Sequence, residues 1–143
     1  MDSLSWVIEN EPLDGGAKVF KESDGDMRDL TDDEWNKVVF ENQGEIRLRL
    51  PTHRFNEAHK FITISEGSIQ RDIFTKIYDF YQSEIDKNEI LNYPEDCLGF
   101  VKWAKEEILE GRKPKWIDIM GDLQFFEGFH HIEGNVWEMY LGS

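Results

Sequence analysis

GEIRLRLPTHRFNEAHKFITISEGSIQRDIFTKIYDFYQ, residues 44–82, decides the fold class. Within it the hydrophobic period changes. Ile46, Leu48 and Leu50 alternate with Glu45, Arg47 and Arg49, the period-two pattern of a strand with one apolar and one charged face. Pro51 ends that run, and the connector from Thr52 to His59 is polar. Lys60-Phe61-Ile62-Thr63-Ile64-Ser65 is rich in β-branched and aromatic residues, so adjacency predicts a returning strand and a hairpin with a long loop. Glu66-Gly67 make a turn, and Ser68 is a good helix N-cap. From there Ile69, Ile73, Ile77 and Phe80 recur at helical spacing, flanked by Phe74 and Tyr81, while Gln70, Arg71, Lys76 and Asp79 face away. The stretch predicts two strands and a helix lying on their apolar face.

Downstream, a second helix starts near Pro94, where a missing N–H costs nothing, with Cys97, Val101, Ala104 and Ile108 as its apolar stripe and Gly111 as its stop. Trp103 points off that stripe, either folded against a loop or exposed as an anchor. Gly111 to Lys115 is a basic, breaker-rich link. The spacing then predicts a strand over Trp116–Met120, a turn at Gly121-Asp122, and a short strand or helical turn over Leu123–Phe126. Glu133-Gly134-Asn135 reads as a hairpin turn and Val136–Leu141 as a final strand. Upstream, Leu4–Glu9 and Ala17–Lys21 flank Pro12-Leu13-Asp14-Gly15-Gly16 and suggest a hairpin, with a short helix from Ser5 as the competing reading. Glu22 to Asp26 reads as an exposed loop. Thr31 and Glu34 match a capping box, which predicts a helix from Asp32 to about Asn42.

These elements predict an α+β fold in one domain, 1–143. Residues 1–43 would form an N-terminal hairpin and short helix. Residues 44–143 would form a small mixed sheet packed by the core helix, with a helical insertion at about 83–115. A chain of 143 residues carrying ten Phe, five Trp and four Tyr can bury a real core. No apolar run approaches the length of a membrane span and the first residues lack a secretory pattern, so the expected setting is intracellular. A single cysteine, Cys97, agrees with a reducing compartment. The formal net charge of −14 repels phosphate backbones and anionic lipid, so neither nucleic acid nor a membrane is an expected partner. That charge is uneven. Between Glu45 and Lys60, Arg47, Arg49, Arg54 and Lys60 outnumber Glu45 and Glu57 and leave a locally basic stretch on an acidic chain.

Three groups of residues invite a chemical reading. Asp24, Asp26 and the acids up to Glu34 suggest calcium. Counted from Asp24, however, the fifth, sixth and twelfth positions of an EF-hand loop hold Arg28, Asp29 and Trp35, so the motif fails. His130 and His131 lie near Asp122, Glu127 and Glu133. Adjacent strand residues point to opposite faces and do not chelate one ion, and a polar loop between two strands is the simpler reading. Cys97 falls on a helix stripe where inert core thiols sit. No phosphate loop, GxSxG or HExxH is present, and no metal or cofactor is expected.

The order strand, hairpin return, core helix, late strands and a long terminal strand resembles the β-grasp arrangement of ubiquitin-like domains over about 44–82 and 116–142. The chain ends Leu141-Gly142-Ser143 and not in a Gly-Gly tail, so a conjugation activity is not carried over. The blocks Asp72-Ile73-Phe74 with Tyr78-Asp79-Phe80-Tyr81, Ile119-Met120-Gly121-Asp122 and Phe125-Phe126-Glu127-Gly128 also resemble an uncharacterised family of large DNA viruses and fungi. That likeness implies a viral origin and no activity. The expected function is a non-enzymatic protein-interaction domain whose partner-binding residues are Arg47, Arg49, Arg54 and Lys60. The alternatives are an enzyme or ligand-binding site around Asp122, Glu127, His130 and His131, and an acidic mimic that meets a basic partner through Glu22 to Glu34.

Overall fold

The computed structural model describes residues 3–53, 58–95 and 99–143. Its main sheet begins with the predicted hairpin, β4 (Ile46–Pro51) and β5 (His59–Ile64), paired antiparallel with Ile46 opposite Ile64 and Leu50 opposite Lys60. Two further strands, β6 (Phe125–Glu133) and β7 (Val136–Gly142), complete it in the order β5-β4-β7-β6. The terminal strand thus enters the centre of the sheet, where it runs parallel to β4. With a hairpin, a helix, and a late strand inserted parallel beside the first, the chain is α+β with a mixed four-stranded sheet.

The core helix α2 (Gln70–Gln82) covers one face of that sheet. Ile73, Phe74, Ile77 and Tyr81 are buried with Ile46, Leu48, Leu50, Ile64 and Met139 in one hydrophobic cluster. Each such side chain contributes on the order of 1.5–3 kcal/mol by leaving water. Phe80, expected at the centre of the stripe, is only partly buried. Ser68 does not cap α2; its hydroxyl donates to the Ser65 carbonyl at 2.7 Å, closing the turn instead, and Ile69 occupies the cap position.

A second, three-stranded antiparallel sheet precedes this unit: β1 (Ser3–Trp6), β2 (Ala17–Phe20) and β3 (Met27–Asp29). The N-terminal hairpin forms and the competing helix from Ser5 does not, while β3 is a strand that the sequence pattern does not predict. Its pairing with β2 is made after a loop of polar residues and has no hydrophobic run of its own to announce it. Trp6 joins the two sheets: its ring stacks on Phe74 at 4.8 Å, and Ile8 N–H donates to the Gln124 carbonyl at 2.9 Å. Phe74 also meets Trp35 edge-on at 5.7 Å, so one aromatic ring touches both sheets' hydrophobic sides and the first helix.

The Thr31 capping box forms as predicted, but α1 (Asp32–Trp35) lasts only one turn. Val38 pairs with Ile69 across an isolated bridge and Lys37 C=O accepts from Gln70 N–H at 2.8 Å. Tertiary pairing therefore takes the residues that a longer helix would need. Among the described residues of 83–115 there are two helices, a short α3 (Lys87–Ile90) and α4 (Phe100–Leu109), where the spacing predicts one. Val101 and Ala104 are buried as the stripe requires, and Gly111, at φ +84°, closes α4 as expected. Cys97 lies outside the described residues. The base of the insertion is closed by Ile85 N–H to Pro114 C=O and Trp116 N–H to Ser83 C=O.

Trp116–Ile119 is a 3₁₀ turn and not the predicted strand. Asp118 accepts from Lys115 N–H at 2.8 Å, and the three-residue repeat puts Trp116 and Ile119 together in the core. Conversely, the segment with His130 and His131 is strand and not loop.

Candidate functional site

Strand parity sorts the candidate residues. On β4 the even positions face α2, so Arg47 and Arg49 stand together on the uncovered face. Their register partners are Thr63 and Phe61 on β5, and Val136 and Glu138 on β7. Continuing outward, Glu138 sits opposite His130 on β6, and the His130 ring stacks on Tyr140 at 3.9 Å. One face therefore presents two guanidinium groups, one carboxylate and a row of aromatic rings, with Phe61 38% and Tyr140 42% exposed. Exposed aromatic rings beside guanidinium groups are the residue types enriched at protein contact sites.

The two arginines are held differently. Arg47 lies over the Phe61 ring, its guanidinium carbon 4.1 Å from the centroid, a cation–π contact that fixes the plane and leaves its N–H edge available. Arg49 is half-buried: its Nε is enclosed and has no hydrogen-bond acceptor among the described residues. Neither forms an ion pair among the described residues. The other described arginines all do: Arg28 with Glu34 at 2.7 Å, Arg71 with Asp32 at 3.9 Å, and Arg112 with Glu107 and Glu110.

Lys60 does not belong to this group. It shares the helix-covered side of β5 with Ile62 and Ile64, opposite Leu50, where its ammonium meets Glu89 at 3.1 Å and lies 5.6 Å from the Trp116 ring. That contact is an ion pair. Beside it the Thr52 and Tyr93 hydroxyls lie 2.7 Å apart, and Lys105 donates to the Tyr93 carbonyl at 2.9 Å. Burial, opposed by the Thr52 hydrogen bond and reinforced by the charge of Glu89, raises the Tyr93 pKa. Lys60 thus works in a polar clamp that fastens the insertion to the sheet. Arg54 lies outside the described residues.

The alternative site is dispersed. His130 faces outward against Tyr140, whereas His131 points the other way, 5.1 Å from the Trp137 ring and 2.8 Å from the Gly134 carbonyl. Glu127 sits at a bulge in β6 where its carboxylate crowds Gly142. Among the described residues, no group of three or more His, Cys, Asp or Glu is placed to hold a metal ion. The acidic stretch from Glu22 to Glu34 is partly self-neutralised, since Lys18 pairs with Asp29 and Arg28 with Glu34. Trp103 is 40% exposed on α4.

Charge and spacing found Arg47 and Arg49, but Phe61, Glu138 and Tyr140 escaped them. Phe61 was legible by parity alone. Glu138 and Tyr140 reach the face only because β7 pairs with β4, which no local pattern announces. No described helix is long and apolar enough to cross a membrane. The chain matches no family model, no curated protein and no solved structure.

Proposed function

We propose that the chain is a protein-interaction domain that binds an acidic protein partner on the open face of the main sheet. One observation supports this reading above others: among the described residues Arg47 and Arg49 have no ion-pair partner, on a chain whose sequence carries 30 acidic residues. A merely solvated face on such a chain would be expected to draw on the carboxylates around it. The nearest by register, Glu138, is not within ion-pair distance of Arg49. Guanidinium groups recognise carboxylates through two parallel hydrogen bonds, and the Phe61 ring presents one of them already oriented.

The test is affinity capture from cells with the wild-type chain and with Arg47→Glu/Arg49→Glu, each confirmed to melt as a folded protein. Reversal should remove the principal partner, because both contacts become repulsive. An unchanged set of captured proteins would sink the assignment.

A further inference from the structure

We infer that the segment recognised here is an extended strand with carboxylates at alternate positions, laid along β4 over Arg47 and Arg49. This rests on the reading above and specifies its ligand. Arg47 and Arg49 are separated by one residue on a strand, which sets their Cα atoms roughly 6.6–6.8 Å apart. An extended peptide has the same repeat, so its residues i and i+2 both face the sheet while i+1 points away. Two acids at that spacing meet two guanidinium groups at once. Adjacent acids would point to opposite sides and engage only one.

The two arginines suit this ligand for separate reasons. Arg47 is stacked on Phe61 with its plane set before binding, which lowers the cost of ordering it. Arg49 is half-buried with its Nε enclosed, so its terminal nitrogens are the edge that a carboxylate would meet, end-on, through two parallel hydrogen bonds. Glu138 stands beside Arg49 and limits the charge the face accepts. A short segment with two carboxylates fits that field. A polyanion with a charge at every nucleotide would meet repulsion from Glu138 and from the net charge of −14.

The experiment is a titration of isotope-labelled protein followed by amide NMR, which registers weak binding and maps it. The probe is the nonapeptide Gly-Ser-Val-Glu-Val-Glu-Val-Ser-Gly. The controls are Gly-Ser-Val-Val-Glu-Glu-Val-Ser-Gly, identical in composition, and an oligothymidylate of the same length. Expected are shifts centred on Arg47, Arg49 and Phe61 with the alternating peptide, and affinity lower by roughly tenfold for the adjacent-acid control. A similar loss is expected for Arg47→Lys/Arg49→Lys, which keeps charge but not the two-pronged geometry. Equal binding of the two peptides, shifts elsewhere, or tighter binding of the oligothymidylate would overturn the inference. If capture from cells depends on the arginines while the two peptides bind alike, the face is the interaction site and the alternating-acid ligand is not its partner.

Discussion

Glu34 orders the chain around it through four hydrogen bonds to its carboxylate. Its carboxylate accepts from Thr31 N–H at 2.9 Å, from the Thr31 hydroxyl at 3.1 Å and from Arg28 at 2.7 and 3.1 Å, so it caps α1 and ties β3 to it. The Arg28 hydrogen bonds, followed by the Thr31 amide, hold its pKa at about 2, down from 4.5. A folded-state pKa below the unfolded one means that the unfolded chain binds the proton first. The stabilisation is complete above about pH 4.5 and is lost as pH falls towards 2. Urea denaturation of wild type and Glu34→Gln should show the variant less stable at neutral pH and the difference closing across that acid window. A gap that is the same at pH 7 and at pH 2.5 would disprove the linkage. The capping box was legible because it is local, four residues long, with its chemistry in the side chains. What was not legible was the end of the helix it starts, because Val38 and Lys37 find partners around Ile69 and Gln70 that lie beyond β4 and β5 in the chain.

Elements built from one hydrophobic period were read well, and elements set by a turn or a distant partner were not. The hairpin of β4 and β5 and the helix α2 carry their period in their own residues. Trp116–Ile119 has an apolar pattern that fits a strand as easily as a 3₁₀ turn, and only the Asp118 cap and the position after Pro114 decide it. The β1–β2 hairpin gives a test at this scale. Its wide turn, Pro12–Gly16, folds so tightly that a Cβ on Gly16 would lie 2.2 Å from the Glu11 carbonyl oxygen and 2.9 Å from its carbon. Both are backbone atoms and cannot swing aside. Gly16→Ala should therefore cost at least about 2–3 kcal/mol, the upper part of the usual range for overpacking, whereas Gly44→Ala, which meets nothing within 4 Å, should be close to neutral. Denaturant midpoints of the two variants measure the contrast, and equal midpoints would show that the turn can open without loss.

At the scale of the whole molecule the charge is the dominant fact. The ion pairs in the structure are mostly exposed, and pairs of that kind are worth roughly 0–1 kcal/mol each. Repulsion among the remaining acids on a chain of net charge −14 works against the compact state. Raising sodium chloride from about 10 mM to about 150 mM shortens the screening length from roughly 30 Å to roughly 8 Å and should raise the melting temperature, because more repulsion than attraction is screened. A melting temperature that falls instead would mean that the surface pairs outweigh the repulsion. Net charge and its uneven spread could be counted from the sequence, and so could the basic stretch around β4. The face on which each cation stands needed one further step. Lys60 follows the parity of Ile62 and Ile64 and turns inward, while Arg47 and Arg49 follow the opposite parity and stay outside.

The parallel pairing of β7 with β4 also imposes an order on synthesis. Arg47 and Val136 are register partners separated by most of the chain, and β6 reaches the sheet only through β7. A nascent chain that has reached Asn135 carries the residues of the hairpin, the core helix and β6, yet the strand that joins them does not exist. At roughly 5–20 residues per second of translation, the inner edge of β4 waits several seconds with its backbone groups open to any strand nearby. Sheet closure is then a late, long-range step with a high loop-closure cost, and the interval before it is when this protein is most exposed to mispairing.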